Sequence, residues 1–319
     1  MTNKEWFDRL NKVFNPNSPS VQALRDSVEQ AERKQEVTLD HYFNNGLRWS
    51  DRADKKDVEA VFNALRELLR NQAFTMQQKT VLGALLNNLP YKTNRDVAKL
   101  ESRINIANLG LNVNKRLQAE QSEIVQRVSS LRGTGHQGYN TQLRRRALMR
   151  IAVQTGNDTD TLPLIFKHMQ SLSIDMDRVI DYQVQSHMNP HALKKAANEA
   201  LEADKQWNYR SKGWRTEVQK RYMRTKSDVE RVFVTEAKVT QVKSTAKYYK
   251  NHGYKYVEVL TRDNPHTCNF CAGMDHTRVK IDEIQVGVNV PPFHPRCACN
   301  IVPSEGSWED IEAMLDAMD

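Results

Sequence analysis

The sequence predicts a mainly α-helical protein, with a long helical N-terminal body and a small C-terminal α+β unit stabilised by zinc. Three observations predict this. Apolar residues recur at helical spacing through most of the first 250 residues. After Gly253 the pattern changes to short alternating runs. All four cysteines, Cys268, Cys271, Cys297 and Cys299, fall in one stretch near the C-terminus.

Each element follows in order. Asn15-Pro16-Asn17-Ser18-Pro19 punctuates the N-terminus. In 59–70, Val61, Phe62, Leu65, Leu68 and Leu69 share one helical face, opposite Glu59, Asn63, Arg66, Glu67 and Arg70. In 97–131, Val97, Leu100, Ile104, Ala107 and Leu111 form one apolar series, and Leu117, Gln121, Ile124, Val128 and Leu131 a second. The six-residue step between them, beside Gly110, breaks a heptad, so two packed helices or one irregular helix are expected. Gly133 to Gly138 reads as a linker, and Gly156 to Asp160 as a loop. Pro190 is placed to open another helix. A helical pattern over 228–250 stops near Gly253. Strands are expected at Tyr254–Leu260, Thr277–Ile281 and Ala298–Val302, and a last helix after the N-cap Ser307. The expected divisions are a helical region over 1–132, a basic helical region over 139–227, and the cysteine-bearing domain over 228–319.

Composition limits the function classes. The 319 residues suffice for about two domains with a real core. Collagen-like, low-complexity and disulfide-scaffold classes are excluded. No apolar run approaches a membrane span, and Met1 to Trp6 lacks the apolar core of a signal peptide, so neither membrane nor secretory targeting is expected. The 47 Lys/Arg and 39 Asp/Glu give a net charge of +8. It is unevenly distributed: residues 251–319 carry 5 basic and 11 acidic residues, a net of −6, leaving 42 against 28, or +14, on residues 1–250. That excess suits either a polyanionic partner or simple solubility.

The cysteines carry the chemistry. Cys268-Asn269-Phe270-Cys271 is a Cys-x-x-Cys turn, and His294-Pro295-Arg296-Cys297-Ala298-Cys299 is His-x-x-Cys-x-Cys. Two thiolates two residues apart can bend around one cation, and a distant pair can complete a tetrahedron. This donor set suits Zn²⁺. Cys268, Cys271 and Cys297 are expected ligands. The fourth is Cys299 or His294, with Cys299 favoured and His294 then orienting a thiolate. A redox Cys-x-x-Cys lacks the surrounding βαβ pattern. Asp275, His276, Asn289 and His294 loosely suggest a His–Asn–His nuclease. Only four residues separate Asn289 from His294, too few for the hairpin-to-helix step of that motif.

The run from Val232 to Pro303 resembles the C-terminal domain of phage head morphogenesis proteins, the Mu F-like minor head proteins. Thr235-Glu236 matches the family's helix motif, and Tyr249 to Gly253 its end. Asp263, Thr267, Cys268 and Cys271 match the first knuckle, and Asp275 the acidic position. Pro291, Pro292, His294, Pro295, Cys297 and Cys299 match the second knuckle. Val234 stands where the family has Arg, and His276 where it has Gly. The resemblance implies a non-enzymatic minor head protein, present in few copies per particle. It would be associated with the portal, scaffold or major capsid protein, and would act in head assembly or DNA delivery. Its expected place is the virion, at the portal or capsid interior, and the host cytoplasm during assembly. The alternative is a zinc-containing DNA-binding enzyme such as a nuclease.

Two basic segments are candidates for sequence-independent contact with phage DNA or an acidic partner. One is Arg144-Arg145-Arg146. The other holds Lys205, Arg210, Lys212, Arg215, Lys220 and Arg221 interleaved with Trp207, Tyr209, Trp214 and Tyr222. For Trp214 and Tyr222, core positions on a helix with a basic outer face are favoured. Thr235 and Glu236 are expected to be a structural polar pair.

Overall fold

The computed structural model describes residues 2–44, 49–70, 76–86, 92–131, 161–188, 209–262 and 267–304. Among them are eight α-helices and one three-stranded sheet, so the chain is mainly α with a small C-terminal β element. The helices are α1 (Asn3–Val13), α2 (Pro19–Asn44), α3 (Lys55–Arg70), α4 (Met76–Leu86), α5 (Asn94–Ser129), α6 (Thr161–Met188), α7 (Tyr209–Asn251) and α8 (Asn269–Gly273). The strands are β1 (Tyr256–Leu260), β2 (Arg278–Lys280) and β3 (Asn300–Ser304). The Gly-rich linker after 132, the loop at 156–160, the helix expected at Pro190 and the last helix after Ser307 lie outside the described residues.

Local chemistry sets the ends of these elements. Thr2 and Glu5 form a reciprocal capping box on α1. Asn15 accepts from the Asn17 amide at 2.9 Å, turning the chain before Pro19 opens α2. Thr93 and Asp96 cap α5 in the same reciprocal way, at 3.3 and 3.0 Å. α7 ends in a Schellman turn. Gly253 takes φ 86°, Tyr254 N donates to Tyr249 O at 3.2 Å, and Gly253 N donates to Lys250 O at 3.1 Å.

The described residues form two compact units. One gathers those of Met1–Gln22, Lys115–Asp160 and Glu230–Asp319, the other those of Ala23–Asn114 and Thr161–Val229. Helices α2, α5 and α7 each contribute to both.

The second unit is helical. Its part of α5 runs unbroken past Gly110, and Ser102–Leu111 is buried or half-buried throughout. Gly110 sits where α6 comes closest. A β-carbon there would meet Met169 Cγ at 2.9 Å and Phe166 at 3.2 Å. Ion pairs join α5 to α6, with Arg95 to Asp181 at 2.7 Å and Arg103 to Asp177 at 2.6 Å. On α3 only Val61 and Leu68 are buried, and Leu69 faces solvent.

The first unit holds the sheet, in the order β2-β1-β3 with both pairings antiparallel. The strands lie within a residue or two of their predicted positions. β1 is central, with Val257 opposite Val279 on one side and Pro303 on the other. Helix α1 packs on β3, and Trp6 meets Tyr248 and Tyr249 of α7 edge-on.

Candidate metal centre

Two loops meet beside the sheet. The first leaves β1, and Cys268 caps the N-terminus of α8, its Sγ accepting from the Cys271 amide at 3.4 Å. Thr267 Oγ1 donates to Arg262 O at 2.5 Å, and Asp275 Oδ1 accepts from Thr261 N at 2.8 Å, so both ends of this loop are tied to the end of β1. The second loop runs through the buried Val290, Pro291 and Pro292 into β3. Arg296, at φ 61°, turns the chain so that Cys297 N donates to His294 O at 3.1 Å. Arg296 is also paired with Glu230 of α7 at 3.4 Å.

These loops bring all five predicted ligand residues together. Cys268, Cys271 and His294 form one group of potential ligands, and Cys271, Cys297 and Cys299 another. Within each group the donor atoms lie within 4.8 Å of one another. His294 Nε2 is 3.1 Å from Cys271 Sγ and 3.4 Å from Cys268 Sγ. The Sγ atoms of Cys271 and Cys297 are 3.8 Å apart. Two sulfurs bound to one tetrahedral ion at about 2.3 Å are about 3.8 Å apart, and a sulfur and an imidazole nitrogen about 3.6 Å. Cys271, Cys297 and Cys299 are buried, Cys268 is exposed, and Phe293 packs on the buried three. His294 Nδ1 lies 2.9 Å from Pro295 O, which makes Nδ1 the proton-bearing nitrogen and turns the Nε2 lone pair toward the thiols.

The electrostatics favour a cation. Hydrogen bonds, first from Cys299, hold the Cys297 thiol down at about 5. Burial pushes Cys271 up to about 12. Cys299 is driven up by its hydrogen bond to Cys297 and by burial. Cys268 is lowered by the Cys271 amide. One thiolate therefore opposes a second nearby until a positive ion offsets both. The thiol and imidazole donors fit a soft or borderline metal ion, and this cluster could hold one.

The other predicted residues take different places. Thr235 Oγ1 bonds back to Arg231 O at 2.8 Å, and Glu236 is half-buried on α7. His276 is exposed and its Nδ1 lies 2.7 Å from Glu258 Oε1. It adopts φ 58°, a conformation that favours glycine. Asn289 accepts from Gln285 N at 2.7 Å and donates to Glu283 O at 2.9 Å, closing its own loop.

In the second unit three of the described basic residues, Arg215, Arg221 and Lys226, are matched by acids within the chain. Arg215 pairs with Asp40, Gln219 Nε2 donates to Glu36 at 3.0 Å, and Lys226 pairs with Glu29 at 2.5 Å. This is an antiparallel ladder between α7 and an acidic stripe of α2. Arg221 is buried, 3.3 Å from Asp175 and 3.8 Å from Glu217. Lys220 is exposed. Trp214 and Tyr222 are core residues, as favoured from the sequence, with Trp214 edge-on to Phe43. Arg144, Arg145, Arg146 and Lys205 lie outside the described residues, as do the side chains of Arg210 and Lys212.

Sequence reasoning missed one buried group next to the cysteines, Lys238, together with its partners Gln241 and Asn300. The available signal was positional, because Lys238 continues the face of Val234 and Gln241 at helical spacing. A lysine there reads as solvent-facing unless the fold is known.

Comparison with protein-family models, curated proteins and solved structures returned no match.

Proposed function

We propose that this chain is a minor head protein of a tailed phage, a non-catalytic component acting in head assembly at the portal or capsid interior. Its C-terminal unit would be held together by zinc. The observation that carries the reading is the meeting of Cys268, Cys271, His294, Cys297 and Cys299 at one point, from the two knuckles that carry the resemblance to that family. Zn²⁺ is the proposed ion because it takes mixed thiolate and imidazole ligands in a tetrahedron without redox chemistry. In a unit with a three-stranded sheet, metal binding would add directly to folding free energy.

The proposed partners are the portal, scaffold or major capsid protein, with few copies of this chain per particle. Phage DNA is a secondary partner in this reading, because Arg215, Arg221 and Lys226 are already matched by acids of the same chain. Mass spectrometry of purified virions and procapsids tests the reading. The protein is expected in at least one of the two particles, and its absence from both defeats it.

A further inference from the structure

We infer that Lys238 is the built-in counter-charge of the cysteine cluster, offsetting the excess negative charge of a thiolate-rich metal centre. The inference rests on the metal reading above and adds a residue that no ligand motif contains.

Lys238 lies on α7 and is 5% exposed. A lysine is almost never that buried without a compensating charge. Its ammonium donates to Gln241 Oε1 at 3.1 Å and to Asn300 Oδ1 at 2.6 Å. Both amides are held with their oxygens toward it, because their nitrogens are used elsewhere. Gln241 Nε2 donates to Leu10 O at 2.6 Å, and Asn300 Nδ2 donates to Asn11 Oδ1 at 3.0 Å. The pocket thus presents two acceptor dipoles to a cation, but these are neutral groups. Among the described residues no carboxylate joins this network.

The compensating charge comes from the cysteines. Asn300 directly follows Cys299, so the residue that grips the ammonium also begins the strand leaving the cluster. Burial pushes the Lys238 ammonium down to about 8, and the charges of Cys297 and Cys299 oppose that fall while Arg262 adds to it. A divalent ion with three thiolates and one imidazole carries a net charge of −1, and with four thiolates −2. A buried anionic centre and a buried ammonium each cost much alone, and together each offsets the other's desolvation. Lys238 therefore positions charge and ligates nothing.

The test uses the full chain, stripped of metal and titrated with Zn²⁺ or Co²⁺. Lys238→Met keeps the apolar stem and removes the charge. Its Zn²⁺ affinity, measured by competition with a chelator, is expected to fall about tenfold to a hundredfold, the usual cost of losing an outer partner of a metal site. Lys238→Arg is expected to stay within about threefold of wild type, by the same measure. The Co²⁺–thiolate charge-transfer band should move to lower energy in Lys238→Met and stay put in Lys238→Arg. A purely structural lysine would not produce that shift. Lys238→Gln, also uncharged but able to hydrogen-bond, is measured alongside in case the Met variant does not fold, and the same loss is expected. Wild-type affinity and an unmoved band in the uncharged variants overturn the inference and leave the metal reading standing. A wild-type chain that takes up neither ion overturns the metal reading itself, and the inference with it.

Discussion

Cys271 Sγ lies 3.8 Å from Cys297 Sγ, the edge of a tetrahedron around a thiolate-bound ion, although the two residues sit on separate loops. Cys271 belongs to both three-residue groups of the cluster, so its loss leaves neither intact. Cys271→Ser is expected to abolish stoichiometric metal binding. Changing His294 or Cys299 alone should weaken binding without removing it, because one group survives each change. Metal content after gel filtration checks this. Chelation should lower the melting temperature of the wild-type chain and leave that of Cys271→Ser unmoved.

Arg221 is a structural cation. It is 4% exposed and faces Asp175 and the equally buried Glu217. Arg221→Ala leaves a buried carboxylate without its cation and is expected to cost about 3–5 kcal/mol. Replacing Arg221 and Glu217 together by Met should recover most of that loss, since the buried carboxylate is then gone and Asp175 keeps Arg178 at 3.6 Å. Thermal unfolding of the two variants distinguishes this from a DNA-binding role, which would leave stability untouched.

His276 should report on pH. Its hydrogen bond to Glu258, followed by the charges of Asp275 and Glu258, holds its pKa above the ordinary value, against opposition from burial and Arg278. The folded state therefore binds this proton more tightly than the unfolded chain. The stabilisation is fully present below the unfolded pKa of about 6.5 and is lost as pH rises through the higher folded value. An NMR titration should show His276 titrating above the ordinary histidine value, and Glu258→Gln should bring it back down. A midpoint at or below the ordinary value would contradict the geometry.

At Gly110 two effects of similar size compete. Alanine in a helix interior gains up to about 1 kcal/mol over glycine. Its β-carbon would sit 2.9 Å from Met169 Cγ and 3.2 Å from Phe166, and overpacking of that kind costs about 1–3 kcal/mol. Gly110→Ala is expected to be destabilising by about 1 kcal/mol, and Gly110→Val by clearly more. Melting temperatures of the two variants check the order.

Gly110 also shows where pattern reading stops. The sequence marks a break in the heptad there, yet α5 runs straight through. The step in the apolar series reflects a helix that is buried on several faces, so no single stripe describes it. The basic segment is a second case. Its charge is visible in the sequence, but its partner is not, because Asp40, Glu36 and Glu29 lie more than 170 residues away in the chain.

The sequence by itself determined the helical body, the three strands to within a residue or two, and the five residues of the cluster. These are short-range signals, set by periodicity, turn residues and ligand spacing. Only the tertiary structure decided that Gln241 reaches Leu10, that Asn300 reaches Asn11, and that Lys238 is buried with its ammonium on the side-chain oxygens of Gln241 and Asn300. Burial and charge compensation depend on which distant segments pack together. A lysine on a helix carries no mark of that until the strand after Cys299 is in place beside it.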